Sequence, residues 1–288
     1  MKQFNYFAPQ DLKACFEIID QFDKGVTFMA GGTDLLVRMK SGRISPQVII
    51  DIKNIKEVRA HIEKNQEWID VGALTSMAEI QGNSLIEEYF PALKEAAGSI
   101  GSVQIRNRAT IGGNLCNASP AADTTPALLI YNAQIDIASK NGTRILPLDH
   151  FLLGPGKTAL QPGELVKSIL LPLPPSGQAA SYERLSRRRG VDLAIVNLCG
   201  QVFASGKVRV AVGAAGPVAF VVEDQSGILT NPNVEEVAKE EKLTEMMHKA
   251  SPISDIRASK EYRQAMLVVL SKRALRRASS RLNSQKGL

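Results

Sequence analysis

Two glycine pairs contain the residues in this sequence that are best suited to binding chemistry. The first glycine segment, residues 30–34, reads AGGTD, and the second glycine segment, residues 110–114, reads TIGGN. Glycine allows positive φ angles and lets a ligand approach bare backbone N–H groups. Where a helix follows such a turn, its N-terminus favours a negatively charged group. Because Thr and a short polar residue flank both pairs, we predict that the two segments bind one pyrophosphate from two sides.

Each glycine segment also has a structural alternative that needs no ligand. The first is compatible with a tight strand-to-helix turn that is capped by Thr33 or Asp34. The second is compatible with a surface loop that is stiffened by Asx turns at Asn114 and Asn117. No GxGxxG sequence follows a predicted strand, which argues against a Rossmann site. Residues 154–158 (GPGKT) imitate the end of a Walker A loop, but no glycine stands at the start of that motif.

Hydrophobic patterning predicts the elements that position the two glycine segments. An apolar run at 26–30 predicts a strand that enters the first segment, and Leu35, Leu36 and Met39 follow at helical spacing. Residues 106–126, around the second segment, show neither helical nor strand periodicity. Long structureless stretches inside compact domains are usually functional or wrongly assigned, and this one lies between clearly patterned elements. We therefore predict a functional loop over these residues.

The remaining pattern is that of an α+β protein with a linker at residues 172–178. The linker sequence PLPPSGQ excludes both a helix and a central strand. It divides the chain into a larger domain, 1–175, with sub-parts of about 1–55 and 56–175, and a smaller domain, 176–288. Further predicted elements are a strand at 48–52, a hairpin of 61–63 with 68–71, helices near 76–80, 91–97 and 128–131, strands at 134–138, 208–212 and 220–222, and a helix over 258–282.

The composition excludes a mainly disordered, fibrous or disulfide-framework protein. Of the 288 residues, 44% are hydrophobic and 22% are charged, as in ordinary globular proteins. Cys15, Cys116 and Cys199 are widely separated, which predicts that this chain holds no metal or iron–sulfur site. The longest uncharged apolar-rich stretch, 210–222, is interrupted by glycine and proline, whereas a membrane span needs about 20 apolar residues. With no signal-peptide pattern at the start, we predict a cytoplasmic protein without a membrane span.

The net charge of +6 comes entirely from residues 271–288, which contain six basic residues and no acidic residue. A nucleic-acid-binding helix is one interpretation of this segment. Its basic residues are not interleaved with aromatic ones, which disfavours that interpretation. We therefore predict a helix whose basic face meets solvent or another subunit, and no nucleic-acid partner.

Taken in chain order, five motifs resemble the FAD-binding medium subunit of molybdenum hydroxylases, the family of xanthine dehydrogenase and aerobic carbon monoxide dehydrogenase. The motifs are FMAGGTDLLVRMK (28–40), TIGGNLCNASPAADTTPALL (110–129), GEL (163–165), RRRGVDLAIVN (187–197) and PISDIRASKEYRQAML (252–267). The resemblance implies an FAD-binding domain of the vanillyl-alcohol-oxidase and p-cresol-methylhydroxylase type, in two α/β parts. It also implies a smaller C-terminal α+β domain of the carbon monoxide dehydrogenase flavoprotein type.

The resemblance further implies which residues hold the FAD. Asp123 would hydrogen-bond the cofactor, and Leu165 would lie near one of its two ends. Arg184 stands where the family often has Lys beside the flavin, and it keeps the positive charge but cannot donate a proton. Ile100 stands where some relatives have an aromatic residue that contacts the flavin. The complete implied set is Thr27, Phe28, Met29, Ala30, Gly31, Gly32, Thr33, Asp34, Leu35, Ile100, Thr110, Ile111, Gly112, Gly113, Asn114, Asp123, Leu165 and Arg184.

By the same resemblance, the chain is an oxidoreductase subunit that carries FAD and has no catalytic residue of its own. A large subunit would hold the molybdopterin, a small subunit would hold two [2Fe–2S] clusters, and the FAD would pass electrons to NAD⁺ or another acceptor. Such clusters need more thiolates than three cysteines supply. Residues 187–189 would face a partner, the flavin, NAD⁺ or solvent, and Asp192 would fix their loop. The alternatives are a stand-alone FAD-dependent oxidoreductase and a non-catalytic nucleotide-binding assembly module.

Overall fold

The computed structural model describes residues 2–22, 24–188 and 190–286. Within these ranges the strands form three main sheets and a short hairpin, with helices packed between them. We refer to residues 2–55, 56–175 and 176–286 as the first, second and third parts of the fold, and each contains one of the main sheets. The mixture of helices and antiparallel strands confirms the predicted α+β class, whereas the domain boundaries stay a prediction.

The first part is a small parallel α/β unit. Its elements are β1 (Asn5–Phe7), α1 (Leu12–Ile19), β2 (Val26–Met29), α2 (Leu35–Lys40) and β3 (Val48–Asp51). The sheet has the order β1-β3-β2, and both neighbours run parallel to β3. Every residue of β3 is buried, as the continuous apolar sequence of a central parallel strand requires. β2 ends at the first glycine segment and so determines where that segment lies.

The second part is an antiparallel sheet with helices inserted between its strands. Its elements are β4 (Ile62–Lys64), β5 (Trp68–Gly72), α3 (Met77–Gly82), α4 (Ser84–Tyr89), α5 (Pro91–Gly98), α6 (Val103–Arg106), α7 (Ile111–Asn117), α8 (Thr124–Ile130), β6 (Gln134–Ser139), β7 (Gly142–Pro147), α9 (Leu148–Phe151), β8 (Leu152–Gly154), β9 (Lys157–Thr158) and β10 (Leu165–Pro172). The sheet order is β4-β5-β10-β6-β7. A capping box between Ser76 and Glu79 starts α3, and a proline in the first turn starts α5.

The third part is an antiparallel meander covered by a long helix. Its elements are β11 (Gln178–Leu185), β12 (Val196–Phe203), β13 (Val208–Gly213), β14 (Phe220–Asp224), α10 (Glu236–Met246) and α11 (Lys260–Lys286). α11 packs on β11 and β12, and glycine at position 200 permits this close approach, since a Cβ there would lie 2.9 Å from the Ala274 Cβ. None of the helices described is both long and apolar enough to cross a bilayer.

The sheet of the third part is buried on both faces. Its outer face packs against α10 and α11 in a cluster that includes Val196, Leu198 and Leu267. Its inner face packs against α5 and α8 of the second part, where Tyr182 and Cys199 join the larger cluster that also fills the first and second parts. This larger cluster therefore extends across all three parts, beside the separate cluster on the outer face of the third part.

Basic residues of α11 pair with acidic residues of the same chain, and Arg273, Arg276 and Arg277 are also exposed, in keeping with the predicted solvent- or subunit-facing surface. Lys272 contacts Glu236 of α10 at 2.7 Å. Arg277 lies 2.6 Å from Glu95 of α5, and Arg281 also contacts Glu95. Part of the excess positive charge therefore joins α11 to α10 and to the second part.

Candidate functional site

A cavity of about 1110 Å³ opens where the three parts of the fold meet. Its walls come from β2 and the first glycine segment, from α7 and the residues that lead into α8, and from the loop between β11 and β12. Small-molecule ligands typically occupy cavities of about 300–1,000 Å³. This cavity therefore has room for a large, elongated ligand.

The first glycine segment turns the chain from β2 into α2 at the cavity wall. Gly32 has a φ of +75°, a conformation that glycine adopts without strain. Asp34 occupies the N-cap position of α2, but its side chain makes no capping hydrogen bond, so the alternative of a side-chain-capped turn does not apply at Asp34. In the ranges described, the backbone N–H groups of residues 31–33 donate to no protein acceptor. These donors are available to an anionic ligand.

The second glycine segment is helical, so the loop predicted over residues 106–126 is wrong at α7 and at the start of α8, whereas residues 107–110 and 118–123 lie outside helices and strands. α7 begins after Thr110, whose hydroxyl accepts the Gly113 N–H at 3.2 Å as an N-cap. The N–H groups of Ile111 and Gly112 donate to backbone carbonyls of the connection between β5 and α3, at 3.0 and 2.9 Å. These tertiary hydrogen bonds close the first turn of a helix whose residues have weak intrinsic helix propensity.

Asn114 and Asn117 use their side chains differently from the Asx turns considered above. Asn114 lies within α7, and its Oδ1 accepts the Thr124 hydroxyl at 2.7 Å. Asn117 ends α7 and lies 3.5 Å from both the Asp34 carboxylate and the Arg38 guanidinium of the first part. Polar side chains of α7 therefore reach across to the first glycine segment.

Two of the four glycines are required for backbone packing rather than for ligand approach. A Cβ on Gly31 would lie 1.8 Å from the Arg108 carbonyl oxygen. A Cβ on Gly112 would lie 2.6 Å from the Ala73 Cβ and 2.8 Å from the Ala73 carbonyl oxygen. A larger residue at either position would force these segments apart. The glycine pairs therefore bring the parts of the wall together.

Most of the residues predicted to hold a cofactor line this cavity. Met29 ends β2 beside the wall, Ile111 is buried in the core, and Arg184 lies behind Asp123, so these three do not line it. The predicted residues that line the cavity are Thr27, Phe28, Ala30, Gly31, Gly32, Thr33, Asp34, Leu35, Ile100, Thr110, Gly112, Gly113, Asn114, Asp123 and Leu165.

The cavity has further lining residues that the sequence did not indicate. Arg38 of α2 and residues 44–46, which precede β3, belong to the first part. Ser119, Ala121 and Ala122 lie in the small-residue run before Asp123, and that run is the signal in the sequence that could have identified them. For Arg38 and residues 44–46 the sequence gives no comparable signal.

An ion pair lies behind the polar wall of the cavity. Asp123 lines the cavity although it is only 8% exposed, and its Oδ1 lies 3.1 Å from Nε of Arg184. Burial raises the pKa of Asp123, and the positive charge of Arg184 opposes that rise. Arg184 also donates to the backbone carbonyl of Asp192. One guanidinium therefore connects the cavity wall to the loop between β11 and β12.

The loop between β11 and β12 forms the third wall of the cavity. Arg188, Asp192 and Leu193 line it, whereas Arg189 lies outside the residues described. Asp192 fixes the loop as predicted, since its Oδ1 accepts the Leu193 N–H at 2.9 Å and its Oδ2 lies 3.6 Å from Nε of Arg187. This side chain acts within the loop and also faces the cavity.

The conspicuous motif at residues 252–267 anchors that loop. Asp255 accepts hydrogen bonds from Arg257 and Arg263 at 2.6 and 2.7 Å. Arg257 donates to the carbonyl of Ala194 at 3.3 Å, and the fully buried Arg263 donates to the carbonyl of Ile195. Hydrogen bonds from Arg257, with those from Arg263, hold the pKa of Asp255 far below its usual value. The motif thereby fixes the end of the third wall.

The arrangement suits a ligand that combines an anionic group with a large apolar part. Free N–H groups lie at the first glycine segment, and Ile100, Ile105, Leu160 and Leu165 provide apolar walls. Among the residues described, no group of His, Cys, Asp and Glu is arranged to hold a metal ion. The free N–H groups and the apolar walls together suit the cavity to an organic cofactor.

Two family models match the chain. Residues 2–174 match the model of an FAD-binding domain in molybdopterin dehydrogenase, and residues 180–278 match the model of a CO dehydrogenase flavoprotein C-terminal domain.

Individual relatives agree with the two family models. The nicotinate dehydrogenase FAD-subunit of Eubacterium barkeri is 33% identical over 200 residues, which cover 68% of this chain and 67% of the relative. The carbon monoxide dehydrogenase medium chain of Hydrogenophaga pseudoflava is 29% identical over 283 residues, which cover 97% and 98% of the two chains. A solved structure of carbon monoxide dehydrogenase from Hydrogenophaga pseudoflava that lacks the Mo-pyranopterin moiety superposes with a TM-score of 0.89, at 28% identity over 97% of this chain and 98% of that one.

Proposed function

The chain belongs to the family of FAD-binding subunits of molybdopterin dehydrogenases, and we propose that it takes electrons from [2Fe–2S] clusters of a partner subunit and delivers them to NAD⁺ or another acceptor. Its homologues are dehydrogenase FAD subunits and medium chains, so FAD is its cofactor and its activity is that of an oxidoreductase subunit. The proposed partners are a large subunit with molybdopterin and a small subunit with the [2Fe–2S] clusters. The proposed location is the cytoplasm.

The free N–H groups on the wall of the cavity are the main support for assigning it to FAD. In the ranges described, residues 31–33 present these donors without protein acceptors, at the edge of a cavity of about 1110 Å³. A pyrophosphate offers several acceptor oxygens to such donors, and hydrogen bonds to charged groups contribute about 1.5–3 kcal/mol each. The size of the cavity and its donor groups both fit a flavin dinucleotide.

The proposed FAD contacts are the predicted residues that line the cavity. The first glycine segment would bind the pyrophosphate through its backbone, and Thr110 and Asn114 face the same cavity with their α7 turn. Arg184 would act from behind Asp123 as a fixed positive charge. Met29 and Ile111 would support the walls without touching the cofactor.

When bound, FAD supplies the redox chemistry of the subunit. The residues of the chain bind and orient it. The loop between β11 and β12 lines one wall of the cavity with Arg188, Asp192 and Leu193. Two of the three cavity carboxylates, Asp123 and Asp192, are held in contacts to arginine, and the third, Asp34, lies 3.5 Å from the Asn117 amide; these contacts favour electrostatic and hydrogen-bonding roles over proton transfer with a second substrate. This favours an electron-transfer subunit over a stand-alone oxidoreductase.

We propose in addition that the FAD-binding domain ends near residue 175. β10 ends at Pro172 and β11 begins at Gln178, and the two family models end and begin at 174 and 180. The two sub-parts of that domain would correspond to the first and second parts of the fold.

Gentle purification from the native host tests the proposed function. Acid release of the cofactor should give FAD near one equivalent per chain, and the same fraction should contain a molybdopterin subunit and an iron–sulfur subunit. Anaerobic reduction of that complex by its substrate, followed by addition of NAD⁺ or a quinone, would then identify the acceptor. FAD in a chain without partners would support the stand-alone oxidoreductase instead, and a chain without flavin would contradict the cavity assignment.

A further inference from the structure

Three side chains from the sheet of the third part contact the Asp123 carboxylate, two through hydrogen bonds and one as an ion pair. Its Oδ1 accepts the Tyr182 hydroxyl at 2.6 Å and the Asn197 Nδ2 at 3.1 Å, and it lies 3.1 Å from Nε of Arg184. Tyr182 and Asn197 are buried and are not among the residues that line the cavity. They lie behind the carboxylate and hold it from the side opposite the cavity.

Strand pairing explains why these donors converge. In the antiparallel ladder of β11 and β12, Arg184 stands opposite Asn197, and Tyr182 stands two residues along the same strand. Side chains two residues apart point to the same face of a sheet, and here that face packs against α5 and α8. Ser181, which precedes Tyr182 in β11, points to the other face, where its hydroxyl donates to the Ala274 carbonyl at 2.8 Å.

Gly213 gives the Asn197 amide its space. The two residues are paired between β12 and β13. A Cβ on Gly213 would lie 2.2 Å from Oδ1 of Asn197 and 2.9 Å from Cγ of Pro126. The absence of a side chain at position 213 therefore permits the Asn197 side chain to reach Asp123.

The second oxygen of Asp123 is left for the cavity. Among the residues described, no donor reaches Oδ2, and the cap position of Asp123 before α8 makes no side-chain capping bond. A carboxylate with one oxygen fully engaged has a fixed orientation. Its other oxygen is then a preorganised acceptor for a hydroxyl or an N–H group of a bound ligand.

We propose that Tyr182 and Asn197 are positioning residues for the FAD, because they engage Oδ1 of Asp123 and so present Oδ2 to the cofactor. The proposal rests on the assignment of the cavity to FAD under the proposed function. It makes the third part of the fold a contributor to cofactor affinity through side chains that do not line the cavity. A purely structural role for the same network, joining the second and third parts, is the competing explanation.

A double-mutant cycle on the full chain separates the two explanations. The chain is freed of flavin and titrated with FAD while the quenching of flavin fluorescence is recorded. We expect Tyr182→Phe to raise the Kd for FAD about tenfold and Asp123→Asn to raise it further, since hydrogen bonds to charged groups are among the stronger ones. The double variant should bind no more weakly than Asp123→Asn alone. Additive effects of the two substitutions, or an unchanged Kd in Tyr182→Phe, would overturn the proposal.

Tyr131→Phe is the matched control. Tyr131 is also a buried tyrosine with one hydrogen bond, from the Ala92 N–H at 3.3 Å, and it is not among the residues that line the cavity. The Kd of Tyr131→Phe for FAD should stay within about twofold of the wild-type value.

If Tyr182→Phe folds poorly, Asn197→Ser removes a second donor instead. Its smaller loss of FAD affinity should likewise vanish when Asp123→Asn is also present. A wild-type chain that fails to bind FAD would overturn the proposed function itself, which is a different outcome from a wild type that binds and a Tyr182→Phe variant that binds equally well.

The pH profile of FAD binding gives a readout that a structural role would not move. Loss of the Tyr182 donor removes a contact that favours the carboxylate, so the pKa of Asp123 should rise further. On acidification, FAD affinity should then begin to fall at a higher pH in Tyr182→Phe than in the wild type. An identical profile in both proteins would contradict the proposal. The other titratable or charged groups near Asp123 or lining the cavity are retained in Tyr182→Phe: Asp34, Arg38, Cys116, Arg184, Arg188 and Asp192.

Discussion

The two glycine segments have nearly the same composition, yet the structure uses them in opposite ways. The first is an open turn, and the N–H groups of residues 31–33 find no acceptor in the ranges described. In the second, the N–H groups of residues 111–114 are all taken by the chain itself, at distances between 2.9 and 3.2 Å. One segment can therefore bind an anion through its backbone, and the other has used its backbone to build a helix.

The difference shows that a glycine pair does not by itself indicate a phosphate site. Gly31 and Gly112 are both placed where a side chain would collide with backbone of a neighbouring segment. The two segments differ in whether their backbone N–H groups have an acceptor within the protein once the neighbouring backbones are packed. Only the first segment keeps its N–H groups free. We predicted that both segments bind the pyrophosphate alike, and its binding is now expected to depend mainly on the first segment.

Substitution of Gly31 by Val should have the largest effect. The new Cβ would lie 1.8 Å from the Arg108 carbonyl oxygen, and backbone cannot yield as a flexible side chain can. We expect the free energy of unfolding to fall by about 3 kcal/mol or more and FAD binding to be lost, as measured by urea denaturation and FAD titration. Gly82→Ala is the control, because a Cβ there meets nothing within 4 Å. Normal stability of Gly31→Val would contradict the close contact on which the comparison depends.

Gly112→Ala should cost stability with little change in FAD affinity. Its Cβ would press on the Ala73 Cβ at 2.6 Å and on the Ala73 carbonyl oxygen at 2.8 Å, for a loss of about 2 kcal/mol. The additional substitution Ala73→Gly should restore part of that loss. Titration of the folded variant should give a Kd for FAD close to that of the wild type. A large rise in Kd without loss of stability would mean that the second segment binds the cofactor as directly as the first.

Thr110→Val should have a smaller effect, confined to α7. It removes the hydroxyl that accepts the Gly113 N–H, and the loss of an N-cap typically costs about 1 kcal/mol. Thr110→Ser keeps the hydroxyl and should retain most of the stability in thermal denaturation. Equal losses in the Val and Ser variants would indicate that the threonine methyl group, rather than the cap, stabilises this turn.

Hydrogen exchange tests the comparison without any substitution. In the FAD-free chain, the N–H groups of residues 31–33 should exchange rapidly, whereas those of residues 111–114 should be protected by the hydrogen bonds described. Addition of FAD should slow exchange in the first segment by about tenfold or more and leave the second almost unchanged. Exchange measured by NMR or mass spectrometry would resolve the two segments. Equal protection of both before FAD is added would remove the distinction.

The regular elements with a clear hydrophobic period could be predicted from the sequence. β2, β3, the hairpin of β4 and β5, and α11 lie where their patterns indicated. β11 and β12 were missed, because both faces of their sheet are buried and Ala, Ser, Gly and Gln interrupt the alternation that marks a half-buried strand. α7 was missed because the bonds that close its first turn come from the β5–α3 connection, which local propensity does not register.

The candidate site was predictable where function leaves an unusual local composition. The glycine segments and the run before Asp123 stand out in the sequence because they are rich in glycine and in small or polar residues. Tyr182 and Asn197 carry no such signal, since each is an ordinary residue within a strand. Their meeting with Asp123 depends on strand register and on the packing of α8 against the sheet, which bring residues more than fifty positions apart within hydrogen-bonding distance.

The position of α11 imposes an order on biosynthesis. The strands that carry Tyr182, Arg184 and Asn197 are covered by this helix, and the loop that forms the third wall is anchored by Arg257 and Arg263 just before and within it. A growing chain folds from its N-terminal side as it leaves the ribosome, so both glycine segments emerge long before these residues do. The third wall of the cofactor cavity is therefore fixed only after Arg263 has emerged, and FAD capture is expected to follow that point rather than the emergence of the glycine segments.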